Sequence, residues 1–128
     1  MQTVVPFVIA YLILVGLFLG SFINLAADRI PRGESVVRPA SHCRTCGRRL
    51  NWVDLLPVAG YLIRGGRCAS CRTPIGLAAP VIEATSGLLL AIPLVWLGLL
   101  WGALAGIALV ALWGAAVVAY AVRRGVSA

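Results

Sequence analysis

Four cysteines carry the most specific chemistry in this 128-residue chain. They fall as Cys43-x-x-Cys46 and, after 21 residues, Cys68-x-x-Cys71. Each C-x-x-C turn brings two sulfurs to one side, so two turns can offer four thiolates to a single ion. Gly47 follows the first pair directly, where such a turn often needs a positive φ. A closed tetrahedral Cys₄ set is the structural site type for zinc, and the gap of 21 is close to the usual ribbon spacing. Arg44, Arg48, Arg49, Arg67 and Arg72 surround the pairs. They are expected to favour thiolate and to offset the net −2 of zinc on four thiolates. The residues leave three alternatives open: a rubredoxin-like iron site, two disulfides if the segment faces an oxidising compartment, and free redox dithiols. His42 could stand in as a ligand, but four cysteines already fill the set.

Two acidic residues are candidates for function. Glu83 lies at the mouth of an apolar block, and an ionisable group at membrane depth is a functional candidate by default. It could instead reach water or pair with a loop arginine such as Arg72. Asp54 has no carboxylate partner in view, and a lone Asp is more often a helix cap or ion-pair residue than a catalyst. Around it, Trp52, Val53, Leu55, Leu56, Val58, Tyr61, Leu62 and Ile63 read as a short helix or strand against the metal site or the membrane surface. A substrate-binding surface is the sharper alternative.

The elements that must position these residues follow from the charges. Two stretches, Met1–Ala27 and Ala84–Val122, contain no charged residue. A soluble protein of this size could not cover both, which excludes an ordinary soluble domain and a disordered chain. Residues 4–27 have the length of one membrane span, about 20 residues being enough to cross the bilayer core. A cleaved signal peptide fits poorly, because Met1-Gln2-Thr3 has no positive charge and the apolar run is too long. The second stretch, as one helix, would reach about 58 Å. Two spans, 80–97 and 101–122, fit better, with a turn near Gly98–Gly102 and Trp96 and Trp101 at its interface. Gly102-x-x-x-Gly106 offers a helix-packing face. No internal repeat is apparent.

All 11 basic residues are arginine, and the net charge is +7. Nine arginines lie between Asp28 and Glu83; Arg123 and Arg124 close the last apolar block. Arginine beside a span marks a short cytoplasmic loop, a simpler account than nucleic-acid binding, which is not expected. With three spans both basic regions share one side. The expected topology is an outside amino terminus with the loop and the carboxyl terminus in the cytoplasm.

An ordered series of motifs then points to a family. Gly20-Ser21-Phe22-x-Asn24 and Arg29-x-Pro31-x-Gly33-x-Ser35 are followed by Pro39-x-Ser41-x-Cys43-x-x-Cys46-Gly47. The series resumes at Trp52-x-Asp54-x-x-Pro57-Val58, Gly66-x-Cys68-x-x-Cys71, Pro74-Ile75 and Pro80-x-x-Glu83. Over residues 20–90 this resembles the amino-terminal domain of the bacterial prepilin peptidases, membrane aspartic peptidases that remove leader peptides from type IV pilins and pseudopilins. The resemblance implies a first span, a cytoplasmic zinc loop and further spans. It also implies docking of prepilin or pseudopilin leader peptides and a link to amino-terminal methylation with S-adenosylmethionine. The family works with two aspartates in later spans, since one carboxylate must activate water while the other protonates the leaving amine. Here the aspartates are Asp28 and Asp54, no Gly-x-Gly-Asp occurs, and the last span ends on Arg123-Arg124. No family catalytic residue carries over to any position.

The expected protein is therefore all-α and membrane-embedded. Three transmembrane helices (4–27, 80–97, 101–122) carry a small cytoplasmic Cys₄ zinc-binding loop domain (28–79) between the first and second. Residues 1–128 form one prepilin peptidase amino-terminal-like unit in the inner membrane, with Cys43, Cys46, Cys68 and Cys71 as metal ligands. Such a chain is non-catalytic alone. It is either part of a split leader peptidase, completed by a second chain with the catalytic aspartates, or a non-enzymatic adaptor of a pilus or secretion system.

Overall fold

A computed structural model describes residues 3–38 and 40–127. Met1, Gln2, Pro39 and Ala128, which the expected unit includes, lie outside the described residues. Among the described residues the chain is helical, with no strand and two isolated β-bridges. Helix α1 runs Val5–Arg29, with Pro6 in its first turn, where a missing N–H does no harm, and continues as a 3₁₀ turn, Ile30–Arg32. The loop module carries two short helices, α2 (Trp52–Leu55) and α3 (Ala59–Ile63). Helices α4 (Ala78–Leu97) and α5 (Leu99–Ser127) follow. Three helices, Val5–Arg32 with its 3₁₀ turn, Ala78–Leu97 and Leu99–Gly125, are long and apolar enough to cross a membrane.

The α4–α5 connection is tighter than the expected turn over Gly98–Gly102. It contracts to Gly98, whose φ of 84° with ψ of −178° is open to glycine alone among common residues. The Gly102 N–H already donates to the Gly98 carbonyl at 2.8 Å, so α5 starts at Leu99 rather than Trp101. Trp96 and Trp101 flank this end and are exposed.

Helix α4 packs against both α1 and α5. The shared core is Ile23, Leu90, Leu94 and Val110, with Leu12, Ile82, Trp113 and Val117 packed around it. In a bilayer, apolar side chains gain little by leaving lipid for protein, so close backbone approach must supply the attraction. Small residues provide it. A Cβ on Gly20 would lie 2.6 Å from the Glu83 Cα, and one on Gly102 would lie 2.5 Å from the Pro93 carbonyl oxygen. Gly106 sits against Leu90 in the same way, so the Gly102-x-x-x-Gly106 face joins α5 to α4. Pro93 leaves the Leu89 carbonyl without its usual helical donor, a defect that a buried helix tolerates.

Gly102→Val should therefore push α5 off α4 and lower stability by about 1–3 kcal/mol or more, because the obstructing atoms are backbone. Ala108→Val, on an exposed position of the same helix, should change little. Thermal melts in detergent compare the two; equal melts would remove the close-packed seam.

At its other end α5 returns to α1. A Cβ on Gly125 would lie 2.6 Å from the Pro31 Cβ. Arg123 and Arg124 thus lie at the same end of the bundle as the arginine-rich module.

Candidate metal centre

The module is built from two copies of one backbone hairpin. In the first, the Cys43 N–H donates to the Arg48 carbonyl (2.8 Å), the Gly47 N–H to the Cys43 carbonyl (2.8 Å) and the Leu50 N–H to the Ser41 carbonyl (3.0 Å). In the second, the Cys68 N–H donates to the Thr73 carbonyl (3.0 Å), the Arg72 N–H to the Cys68 carbonyl (3.1 Å) and the Ile75 N–H to the Gly66 carbonyl (2.6 Å). Every donor and acceptor is shifted by the same interval, and the two bridges, His42 with Arg49 and Arg67 with Pro74, obey it too. The segments 41–50 and 66–75 are a structural repeat.

The repeat makes Gly47 and Arg72 equivalent, and both take positive φ, 76° and 61°. For arginine this costs about 1–2 kcal/mol that glycine avoids. Gly47→Ala should thus destabilise the module by about 1 kcal/mol, although the added methyl meets nothing within 4 Å. Arg72→Gly should be neutral or stabilising. Protease resistance of the metal-loaded module measures both; a stabilising Gly47→Ala would contradict the strain.

The two hairpins bring the four sulfurs together. All four Sγ atoms lie within 4.8 Å of one another, with Cys43–Cys71 at 3.7 Å and Cys46–Cys68 at 3.8 Å. These separations are far beyond a disulfide bond of about 2.05 Å, and all four cysteines are free. A tetrahedron with metal–sulfur bonds of about 2.3 Å has edges of about 3.8 Å, so the donor set fits one metal ion. His42 stays outside the cluster, its Nδ1 3.1 Å from the Ala40 carbonyl oxygen.

The electrostatic support comes from a different source than the sequence suggests. Arg44 and Arg48, expected beside the sulfurs, are taken by carboxylates. Arg44 reaches Asp28 (2.7 Å) and Glu34 (2.8 Å), which raises its own pKa further and ties the first knuckle to the end of α1. Arg48 goes to Asp54, and Arg67 donates to the Arg72 carbonyl. The sulfurs lean instead on neutral donors. The Thr73 hydroxyl, 3.0 Å from the Cys71 Sγ, and the Thr73 N–H bring that thiol down to about 6. The N–H groups of Cys71 and Ser70 lower Cys68. At Cys46 the Arg48 N–H acts downward, but desolvation and the three neighbouring thiols outweigh it and push the group up to about 11. Thr73 was not visible as a site residue in the sequence; its position two residues after Cys71 was the one available signal.

Asp54 is the anchor behind the first knuckle. It is the third helical residue of α2 and closes a capping box with Asn51: the Asn51 side chain accepts from the Val53 and Asp54 N–H groups, and Asp54 accepts from the Asn51 N–H (2.9 Å). Its side chain is 8% exposed and accepts from Arg48 (2.9 Å) and Arg64 (2.7 Å). Burial works to raise its pKa, yet the Asn51 N–H and the two guanidiniums outweigh burial and hold it below the usual carboxylate range.

Glu83 docks the module onto α4. Its Oε2 accepts the Val58 N–H at 2.9 Å rather than pairing with Arg72. Val58 has φ 59° and ψ −52°, and the Ala59 N–H donates to the Pro57 carbonyl. This is a γ-turn of the strained hand on a β-branched residue, costing about 1–3 kcal/mol. The carboxylate holds that turn against the bundle.

A helical, three-span chain with a four-sulfur module between its first and second long helices is the class these observations define. Comparison with known proteins identifies the family. Residues 14–97 match the model of the bacterial peptidase A24 N-terminal domain, and the chain belongs to that family. A prepilin leader peptidase/N-methyltransferase of Myxococcus xanthus is 38% identical over 84 residues, covering 66% of this chain and 25% of the relative. Proteins of the same name from Burkholderia pseudomallei (34% over 128 residues; 80% of this chain, 41% of the relative) and Bacillus subtilis (36% over 83 residues; 65% and 34%) are similar as well. The chain spans about a quarter to two-fifths of the length of these relatives. No solved structure matches it.

Proposed function

We infer that this chain is the zinc-stabilised amino-terminal part of a prepilin leader peptidase system, a platform at the cytoplasmic face of the inner membrane that receives prepilin or pseudopilin leader peptides. The observation that carries this reading is the convergence of four sulfurs at tetrahedral spacing inside the family-matched segment. Zinc suits four thiolates without an open position, so its role is structural. The docking face is the exposed apolar surface of α2 and α3, where Trp52, Leu62 and Ile63 are 74%, 70% and 61% exposed. Arg123 and Arg124, at the module end of the bundle, support placing that end in the cytoplasm with an outside amino terminus.

The chain does not cut peptide bonds alone. Its two aspartates are both engaged by arginines, Asp28 by Arg32 and Arg44 and Asp54 by Arg48 and Arg64. Neither forms the paired acid and base that an aspartic peptidase needs. Aspartate-bearing spans, supplied in the split reading by a second polypeptide, would complete the enzyme. The relatives' name extends the reading to methyl transfer, with S-adenosylmethionine as donor. The same engaged aspartates favour a second reading, a non-enzymatic adaptor of a type IV pilus or type II secretion system.

Co-expression with an aspartate-bearing partner and a prepilin tests the choice. The platform reading expects cleavage only when both chains are present, and photo-crosslinks from positions 52 and 62 to the leader. Co-purification with pilus or secretion components, with neither cleavage nor crosslinks, selects the adaptor.

A further inference from the structure

Arg29 closes the first long helix, and it is 3% exposed. A guanidinium taken from water needs opposite charge and hydrogen bonds in exchange. Here it has one protein acceptor, the Ser35 carbonyl oxygen, 3.0 Å from Nη1. Among the described residues no carboxylate lies within ion-pairing distance of it. The nearest in sequence, Asp28, is held by Arg44 and Arg32. A guanidinium carries five donors in a planar fork, so this one is built for an anion that the protein does not supply.

Arg29 lines a cavity of about 720 Å³ between the last turns of α1, the cysteine module and the start of α4. The cavity wall is graded. Phe18, Phe22 and Leu25 line it along the apolar length of α1, with Ser21, Asn24, Asp28 and Arg29 as the polar residues of that helix. The module and α4 add Arg44, Arg48 and Arg64 together with Asp54 and Glu83. Phe18 and Phe22 are 47% and 54% exposed, as a wall facing lipid would be. Arg29 sits in the final turn of a helix long enough to span a bilayer, which is headgroup depth. An occupant that matches has an anionic head and an apolar body.

We propose that this cavity seats one phospholipid, its phosphate clamped by Arg29 and the top of an acyl chain lying along Phe18 and Phe22. Guanidinium and phosphate match geometrically through paired N–H···O bonds. The arginine-rich surface around the cavity draws anionic lipid to it. The seat would bind the first span to the inner leaflet at the point where the module begins.

The test uses the full chain in neutral detergent, followed by native mass spectrometry during titration with dioleoylphosphatidylglycerol. Dioleoylglycerol, with the same chains and no phosphate, and inorganic phosphate are the comparison probes. One phosphatidylglycerol per chain should be retained, and dioleoylglycerol should not. Arg29→Gln should weaken retention at least tenfold, Arg29→Lys less, and Phe22→Ala several-fold, while Arg32→Gln, a neighbouring exposed arginine, should leave it unchanged. Should Arg29→Gln fail to fold, Arg29→Lys and Phe22→Ala still decide. Retention unchanged in both of those variants overturns the seat, as does equal retention of dioleoylglycerol. Displacement of the lipid by millimolar phosphate assigns the site to the free anion and overturns it too.

Discussion

Stripping the metal with a chelator, or replacing Cys43 by Ser, is expected to unfold residues 41–75 while the three long helices remain. The reason lies in where the apolar core is. Among the described residues the buried apolar ones are Ile23, Ala26, Leu90, Pro93, Leu94 and Val110 in the helices, and Pro57 and Cys68 in the module. The module thus has a cluster of four sulfurs where a domain would have a core. Its helices α2 and α3 have four and five residues, too short to persist unaided. Structural zinc in small modules contributes apparent free energies of about 10–16 kcal/mol near neutral pH, which is the scale of the loss. Elemental analysis should find about one zinc per chain. Chelation should open the module to proteases and leave most of the helical signal. Metal binding must also expel the remaining thiol protons. Cys46, held up near 11, is the most resistant, so affinity should fall as pH falls. A metal-free protein whose module resists proteases would end the proposal.

What the sequence showed follows the range of the interactions. The helices were legible because the absence of charge over a long stretch is a one-dimensional property. The cysteine cluster was legible because each C-x-x-C turn is local. Arg44 and Arg48 were misassigned because their partners lie elsewhere: Arg44 crosses to Asp28 on α1, and Arg48 is taken by Asp54. No local pattern records such pairings. The repeat of 41–50 in 66–75 was hidden for another reason. It is held by backbone hydrogen bonds, and of its ten paired positions the cysteines are the identical ones. The role of Glu83 was out of reach, because its partner is the N–H of a residue forced into a strained turn.

Asp54→Ala is expected to destabilise the module by roughly 3 kcal/mol, the lower part of the 3–5 kcal/mol range for removing one partner of a buried ion pair. The lower part applies because the side chains of Arg48 and Arg64 keep 20% and 24% exposure and regain some water. The change removes three acceptor contacts at once, those from the Asn51 N–H, Arg48 and Arg64. Asp54→Asn keeps an oxygen acceptor but loses the charge, so its cost should be intermediate. The pH dependence separates charge from shape. The folded-state pKa of Asp54 lies below its unfolded value. Its stabilisation is therefore complete above about pH 4 and is lost as pH falls through the lower folded value. The stability gap between the wild type and Asp54→Asn should be constant at neutral pH and narrow below about pH 4. Thiol protonation loosens the metal in the same acid range, so the difference is read with zinc in excess and where both proteins keep it. A gap that persists unchanged into strong acid would show that Asp54 acts by shape and hydrogen bonding, without its charge. A protein as stable with Ala as with Asp at this position would mean that the module's grip on Arg48 and Arg64 contributes nothing to its fold.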